Sequence, residues 1–68
     1  MKYIVTAKND PTGTATPAFF DRRFRGDDIL IEFSDFDENG NEVFEIETER
    51  DLELALEQAP NLISWRIA

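Results

Sequence analysis

Carboxylates dominate the side chains of this protein that could do chemistry. The 68-residue chain carries 15 Asp and Glu against 7 Lys and Arg, with no histidine and no cysteine. That composition removes disulfides, thiolate nucleophiles, His or Cys ligation of zinc and haem, and any Ser–His or Cys–His catalytic pair. Asp35-Phe36-Asp37-Glu38-Asn39-Gly40 opens like a calcium loop, with oxygen ligands at alternate positions and glycine at the sixth. The pattern then departs. Glu42 stands where an aliphatic residue belongs, and Ile46 stands where a bidentate Glu is required. Paired carboxylates also do acid–base work in glycosidases. That chemistry needs a cleft, and so short a chain seldom encloses one of about 300 Å³. The expectation is a protein that is not an enzyme, with no cofactor and no metal site.

A second constellation is basic and aromatic: Phe19, Phe20, Arg22, Arg23, Phe24 and Arg25. Interleaved Arg and aromatic residues stack single-stranded nucleic acid in some proteins. The net charge of −8 opposes direct contact with nucleic acid or anionic lipid. The more economical reading is a small amphipathic helix whose Phe side chains enter the core while its arginines pair with acidic neighbours. Arg22, Arg23 and Arg25 are a secondary candidate for a protein contact, because Arg and aromatics make interface hot spots.

The charge is unevenly distributed. Residues 1–26 sum to +3 and residues 27–57 to −12. The length allows one domain, 1–68, with a thin core. Hydrophobic residues at 41% suffice for that core and argue against disorder. The N-terminal apolar run is too short for a signal-peptide core, and no stretch approaches the roughly 20 apolar residues of a membrane span. Absence of cysteine fits a reducing compartment, so a cytoplasmic protein without a membrane partner is expected.

These groups must be positioned by a small set of elements. Residues 2–8 read as a strand with Tyr3, Val5 and Ala7 on one face and Ile4 and Thr6 on the other. Asn9-Asp10-Pro11-Thr12-Gly13 is turn chemistry. Thr16 as cap, Pro17 at the first position and Gly26 past the end outline a short helix with Phe20 and Phe24 on one face. A strand over residues 14–19 is the alternative. Residues 29–36 and 42–48 read as a hairpin around Asn39-Gly40, a type I′ signal that needs positive φ at both central residues. A two-residue loop sets Phe33 opposite Ile46, Asp35 opposite Phe44 and Glu32 opposite Glu47. Ile29, Ile31, Phe33, Phe44 and Ile46 then share the core face, and Glu32, Ser34, Glu45 and Glu47 the other. Thr48 and Asp51 resemble a capping box. Leu52, Ala55, Leu56 and Ala59 follow helical spacing, with Leu54 off the stripe. Pro60 ends that helix, and residues 62–67 form a last strand with Ile63, Trp65 and Ile67 on one face.

This order gives an α+β fold: a single four-stranded mixed sheet with one or two helices on one face. The arrangement is β-grasp-like, with a ferredoxin-like sheet as the alternative. Helical crossovers supply the connections that parallel strands need.

The stretch from Phe33-Ser34-Asp35-Phe36-Asp37-Glu38-Asn39-Gly40 to Thr48-Glu49-Arg50-Asp51-Leu52 resembles the acidic motif of PB1 domains: a strand, an acidic turn, a second strand, then Ser/Thr-Asp-x-Asp-Leu opening a helix. The resemblance covers residues 29–67. It implies a β-grasp fold and an acidic face that pairs with a basic PB1 face, with Asp37, Glu38, Glu49 and Asp51 at motif positions. Asn39 and Asn41 replace two residues that are usually acidic in the family. By size and charge the chain is also similar in kind to small phage anti-defence proteins, such as anti-CRISPR and anti-restriction proteins, many of which cover a nucleic-acid-binding surface.

The functional expectation is an acidic module that docks on a basic protein surface, with a nucleic-acid-binding enzyme as the sharper version. Its contact residues are Glu32, Asp37, Glu38, Glu45, Glu47, Glu49 and Asp51, helped by apolar neighbours such as Leu30 and Phe36. Glu32 facing Glu47 across the hairpin costs stability that a partner would relieve. The alternatives are a PB1-type scaffold and a subunit whose acidic face is only solvated. A homo-oligomer is compatible with all three.

Overall fold

The computed structural model describes residues 1–9, 15–25 and 29–68. Its elements are β1 (Lys2–Ala7), α1 (Ala15–Arg23), β2 (Ile29–Phe36), β3 (Glu42–Thr48), α2 (Glu53–Gln58) and β4 (Leu62–Ile67). The α+β class, the four strands and the two helices match the sequence expectation. The turn read over residues 9–13 and the glycine stop at Gly26 lie largely or wholly outside the described residues.

The strands form one sheet in the order β2-β3-β1-β4. Every neighbouring pair is antiparallel, which corrects the expected mixed sheet. Each helical crossover skips a strand. The connection through α1 joins β1 to β2 with β3 between them, and that through α2 joins β3 to β4 with β1 between them. Parallel strands are therefore never adjacent. This is the split βαβ, ferredoxin-like arrangement. A β-grasp sheet would pair its first and last strands in parallel. Here β1 and β4 run antiparallel, with Tyr3 opposite Ile67 and Val5 opposite Trp65. The fold that the PB1 resemblance implies is thus replaced by the ferredoxin-like alternative.

The alternating pattern of β1 and β3 builds the core floor. Tyr3, Val5 and Ala7 pack beside Phe44 and Ile46, beneath Phe20 of α1 and Leu52, Ala55 and Leu56 at α2. Both helices bury residues in this one cluster, so they share a face of the sheet. The Phe20 ring lies 6.3 Å from that of Phe44. Thr16 sits inside α1 rather than before it. Its buried hydroxyl donates to the Pro60 carbonyl at 2.7 Å, tying α1 to the turn before β4. The expected capping box does not form. α2 begins only at Glu53, with Leu52 at its N-cap position, so Thr48 and Asp51 precede the helix: Thr48 Oγ1 accepts from the Arg50 N–H and Asp51 from the Glu53 N–H.

The hairpin differs from expectation in two steps that add. Gly40 alone in the turn has positive φ, at +80°, so the type I′ loop is absent. Instead the Gly40 N–H donates to the Asp37 carbonyl and the Asp37 N–H to that of Asn41, closing a three-residue loop. A bulge between Phe33 and Asp35 shifts the register once more. Phe33 consequently faces Phe44, and Glu32 faces Glu45. Two single shifts restore the parity of the faces, so Ile29, Ile31 and Phe33 keep the helix side. The three-residue loop sets Phe36 opposite Glu42 and so turns it to that side, against the expectation that it flanks the acidic face. The Phe33 and Phe36 rings meet at 5.1 Å. A second bulge, in the β1–β4 pairing, places Leu62 opposite Ala7 and leaves Ile63 exposed, correcting its expected place beside Trp65.

Candidate partner-binding face

The face of the sheet opposite the helices is built by the outward residues of all four strands. On β2 and β3 these are Leu30, Glu32, Asp35, Val43, Glu45 and Glu47; on β1 and β4 they include Lys2, Ile4, Thr6, Ser64 and Arg66. Its β2–β3 half is acidic and its β1–β4 half carries the two basic residues. Leu30, 55% exposed, stands opposite Glu47 and supplies apolar surface within the acidic half.

Glu32 opposes Glu45 rather than Glu47, and Lys2 compensates the pair. Lys2 Nζ lies 3.1 Å from Glu45 Oε1. The hydrogen bond to Glu45 raises the Lys2 pKa above its ordinary value, helped by the charges of Glu45, Glu47 and Glu32. The expected cross-strand repulsion is therefore relieved internally, and it gives no independent argument for a partner. Lys2 and Asp35 also belong to this face, although sequence reasoning did not include them. The alternation of Ile4 and Thr6 already places Lys2 there, whereas Asp35 depends on the three-residue loop, which sets it opposite Val43.

No family model, curated protein or solved structure matches the chain. The site therefore rests on its own geometry.

The seven expected contact residues do not form one surface. Glu32, Glu45 and Glu47 share the open face. Asp37 and Glu38 lie at the hairpin tip, while Glu49 and Asp51 follow the far end of β3, roughly 20 Å away at strand rise. Asp37 holds the turn together. Its carboxylate accepts from the N–H groups of Asn39 and Asn41 and from Asn41 Nδ2, at 2.9 to 3.1 Å. Glu49 lies 3.6 Å from the N-terminal amine, and Asp51 holds the α2 entrance. Among the described residues no group of three or more carboxylates converges as a metal site, and no helix is long and apolar enough to cross a membrane.

The basic aromatic cluster turns its rings inward. Phe20 is fully buried, and Phe19 and Phe24 pack against the core. Arg23 donates to Gln58 Oε1 at 2.9 Å and lies 6.0 Å from the ring centroids of both Phe19 and Phe24. Arg50 lies 5.9 Å from the Phe24 ring. Arg23 is thus bonded to α2 and does not pair with the acidic hairpin. Arg22 and Arg25 are exposed on the helix side, away from the acidic face.

The hydrogen bonds at the tip set a pH dependence. The hydrogen bond from the Asn41 N–H is the largest influence and lowers the Asp37 pKa below its ordinary value; burial opposes it, and the Asn41 side chain and the Asn39 N–H add to the lowering. A depressed folded-state pKa stabilises above the unfolded value and loses that stabilisation as pH falls through the folded one. Urea midpoints of the wild type should therefore fall on acidification below about pH 4, and Asp37→Asn should flatten that limb. An unchanged acid limb in Asp37→Asn would contradict this role.

Proposed function

We propose that the protein is a non-catalytic binding module whose acidic sheet face docks on a basic surface of a partner protein. The observation that carries the reading is the gathering of Glu32, Glu45 and Glu47 on the face that neither helix covers, with exposed Leu30 between them. Carboxylates gathered on the β2–β3 half of an open face steer a basic partner and raise its association rate. Leu30, with the half-buried Ile4 and Val43, supplies apolar area to bury once contact is made. Within this reading, the sharper form is a partner whose basic surface itself holds nucleic acid, so that the two compete.

Affinity capture with paired baits tests it. Glu32→Gln with Glu47→Gln removes two charges and leaves the Lys2–Glu45 pair intact. A basic protein should be retained by the wild type and lost from the folded double variant. Added oligonucleotide should displace that protein if the sharper form holds. Equal capture by both baits would assign the acidic face to solvation alone.

A further inference from the structure

β2 is an edge of the sheet, and among the described residues its only strand partner is β3. In an antiparallel ladder alternate residues direct their N–H and C=O groups to the neighbour, and the others direct theirs outward. β2 therefore offers a row of outward backbone groups along the longest strand of the sheet, eight residues. Edge strands are ordinarily blunted by charged side chains, above all Lys, by Pro, by bulges or by extreme shortness. β2 has no Lys or Pro; its charges are the acidic Glu32 and Asp35, which repel acidic strands only, and its bulge at Ser34 leaves residues 29–33 as a regular ladder. The two sides of this edge differ. The sheet face beside it carries Glu32, Glu45 and Glu47. On the helix side Ile29 and Ile31 pack against the core, while Phe33 and Phe36 at the other end of the strand are 56% and 52% exposed.

We propose that the partner docks by adding an extended strand to the β2 edge, and that this strand alternates basic and apolar side chains. Backbone hydrogen bonds to the open ladder hold it, its basic residues meet the glutamates, and its apolar residues cover the Phe33–Phe36 pair. The inference rests on the acidic-docking reading and specifies its geometry. A second copy of this chain is the poorer occupant. Edge-to-edge pairing would set one acidic face beside another, on chains that each carry −8, and opposed like charges destabilise a strand pair.

The probe is an eight-residue peptide alternating Lys and Val, with blocked ends, compared with its isomer of four Lys followed by four Val. Binding is followed by amide NMR and hydrogen exchange on the full chain. The alternating peptide should bind at least about tenfold tighter than the block isomer. It should also slow exchange of the outward β2 amides at least about tenfold. Glu32→Lys, at an exposed position, should lose about tenfold in affinity while its spectrum stays that of the folded protein. Equal binding of both peptides, with shifts at Glu32, Glu45 and Glu47 but unprotected β2 amides, would overturn strand addition and leave acidic docking standing. No binding of either would overturn both. Protection of β2 in the free protein together with a dimer mass would give the edge to a second copy and overturn the proposal.

Discussion

Phe44→Ala should cost about 3–5 kcal/mol of folding free energy, the usual range for a large aromatic removed from a core. Phe44 is fully buried at the centre of β3. It faces Val5 on one side and Phe33 on the other, with the Phe20 ring 6.3 Å away. The two helices are short, so the layer above the cavity has few other contacts with which to collapse. A 68-residue domain has a total stability of roughly 3–10 kcal/mol, so much of it would be lost. Urea denaturation followed by far-UV circular dichroism measures this. Phe36→Ala is the control, because that ring is half exposed, and its loss should be below about 1 kcal/mol. Similar losses for the two variants would contradict the placement of the core on β1 and β3.

Tyr3→Phe is the second large effect and removes a single oxygen. The Tyr3 hydroxyl accepts from the Leu52 N–H at 3.2 Å and donates to the Arg50 carbonyl at 3.3 Å. It thus ties the central strand to the entrance of α2, where Leu52 has no side-chain cap. The ring itself stays packed in the variant, so the loss reports the hydroxyl. Leaving the buried Leu52 N–H without a partner should cost about 1–3 kcal/mol. The same titration reads it, with Trp65 as a local probe because its ring lies 5.8 Å from that of Tyr3. A neutral substitution would show that the Tyr3 hydroxyl does not hold the α2 entrance.

The parts of this fold that were legible in the sequence are those encoded by local period and turn chemistry. The faces of β1, the stripe of Leu52, Ala55 and Leu56, the exposure of Leu54 and the hairpin itself follow from spacing alone. What was not legible depends on contacts between distant segments. Nothing local to β1 or β4 states that they pair antiparallel, so the order remained open between two folds. The Asn39-Gly40 signal located the turn but overstated its tightness, because the Asp37 side chain and carbonyl stabilise a longer loop. The bulge at Ser34 has no glycine to mark it; the three-residue loop sets Asp35 opposite Val43 and Phe36 opposite Glu42, and the bulge then returns Phe33 to the helix side. The candidate face divided in the same way. Glu32, Glu45 and Glu47 were placed together by strand alternation. Asp37 and Asp51 looked equivalent to them in sequence, yet their carboxylates are engaged by backbone N–H groups at turns. Sequence charge counts acids, and only the register shows which of them share a surface.

The most direct measurement on the acidic face is the association rate of the captured partner as a function of salt, for the wild type and for Glu32→Gln with Glu47→Gln. Surface charges act over about 8 Å at physiological ionic strength, so steering by this face must weaken as salt is added. The wild-type rate should fall steeply with salt, and the double variant should start on the order of tenfold slower with a flatter dependence. Identical, salt-independent rates for the two proteins would contradict docking through the acidic face.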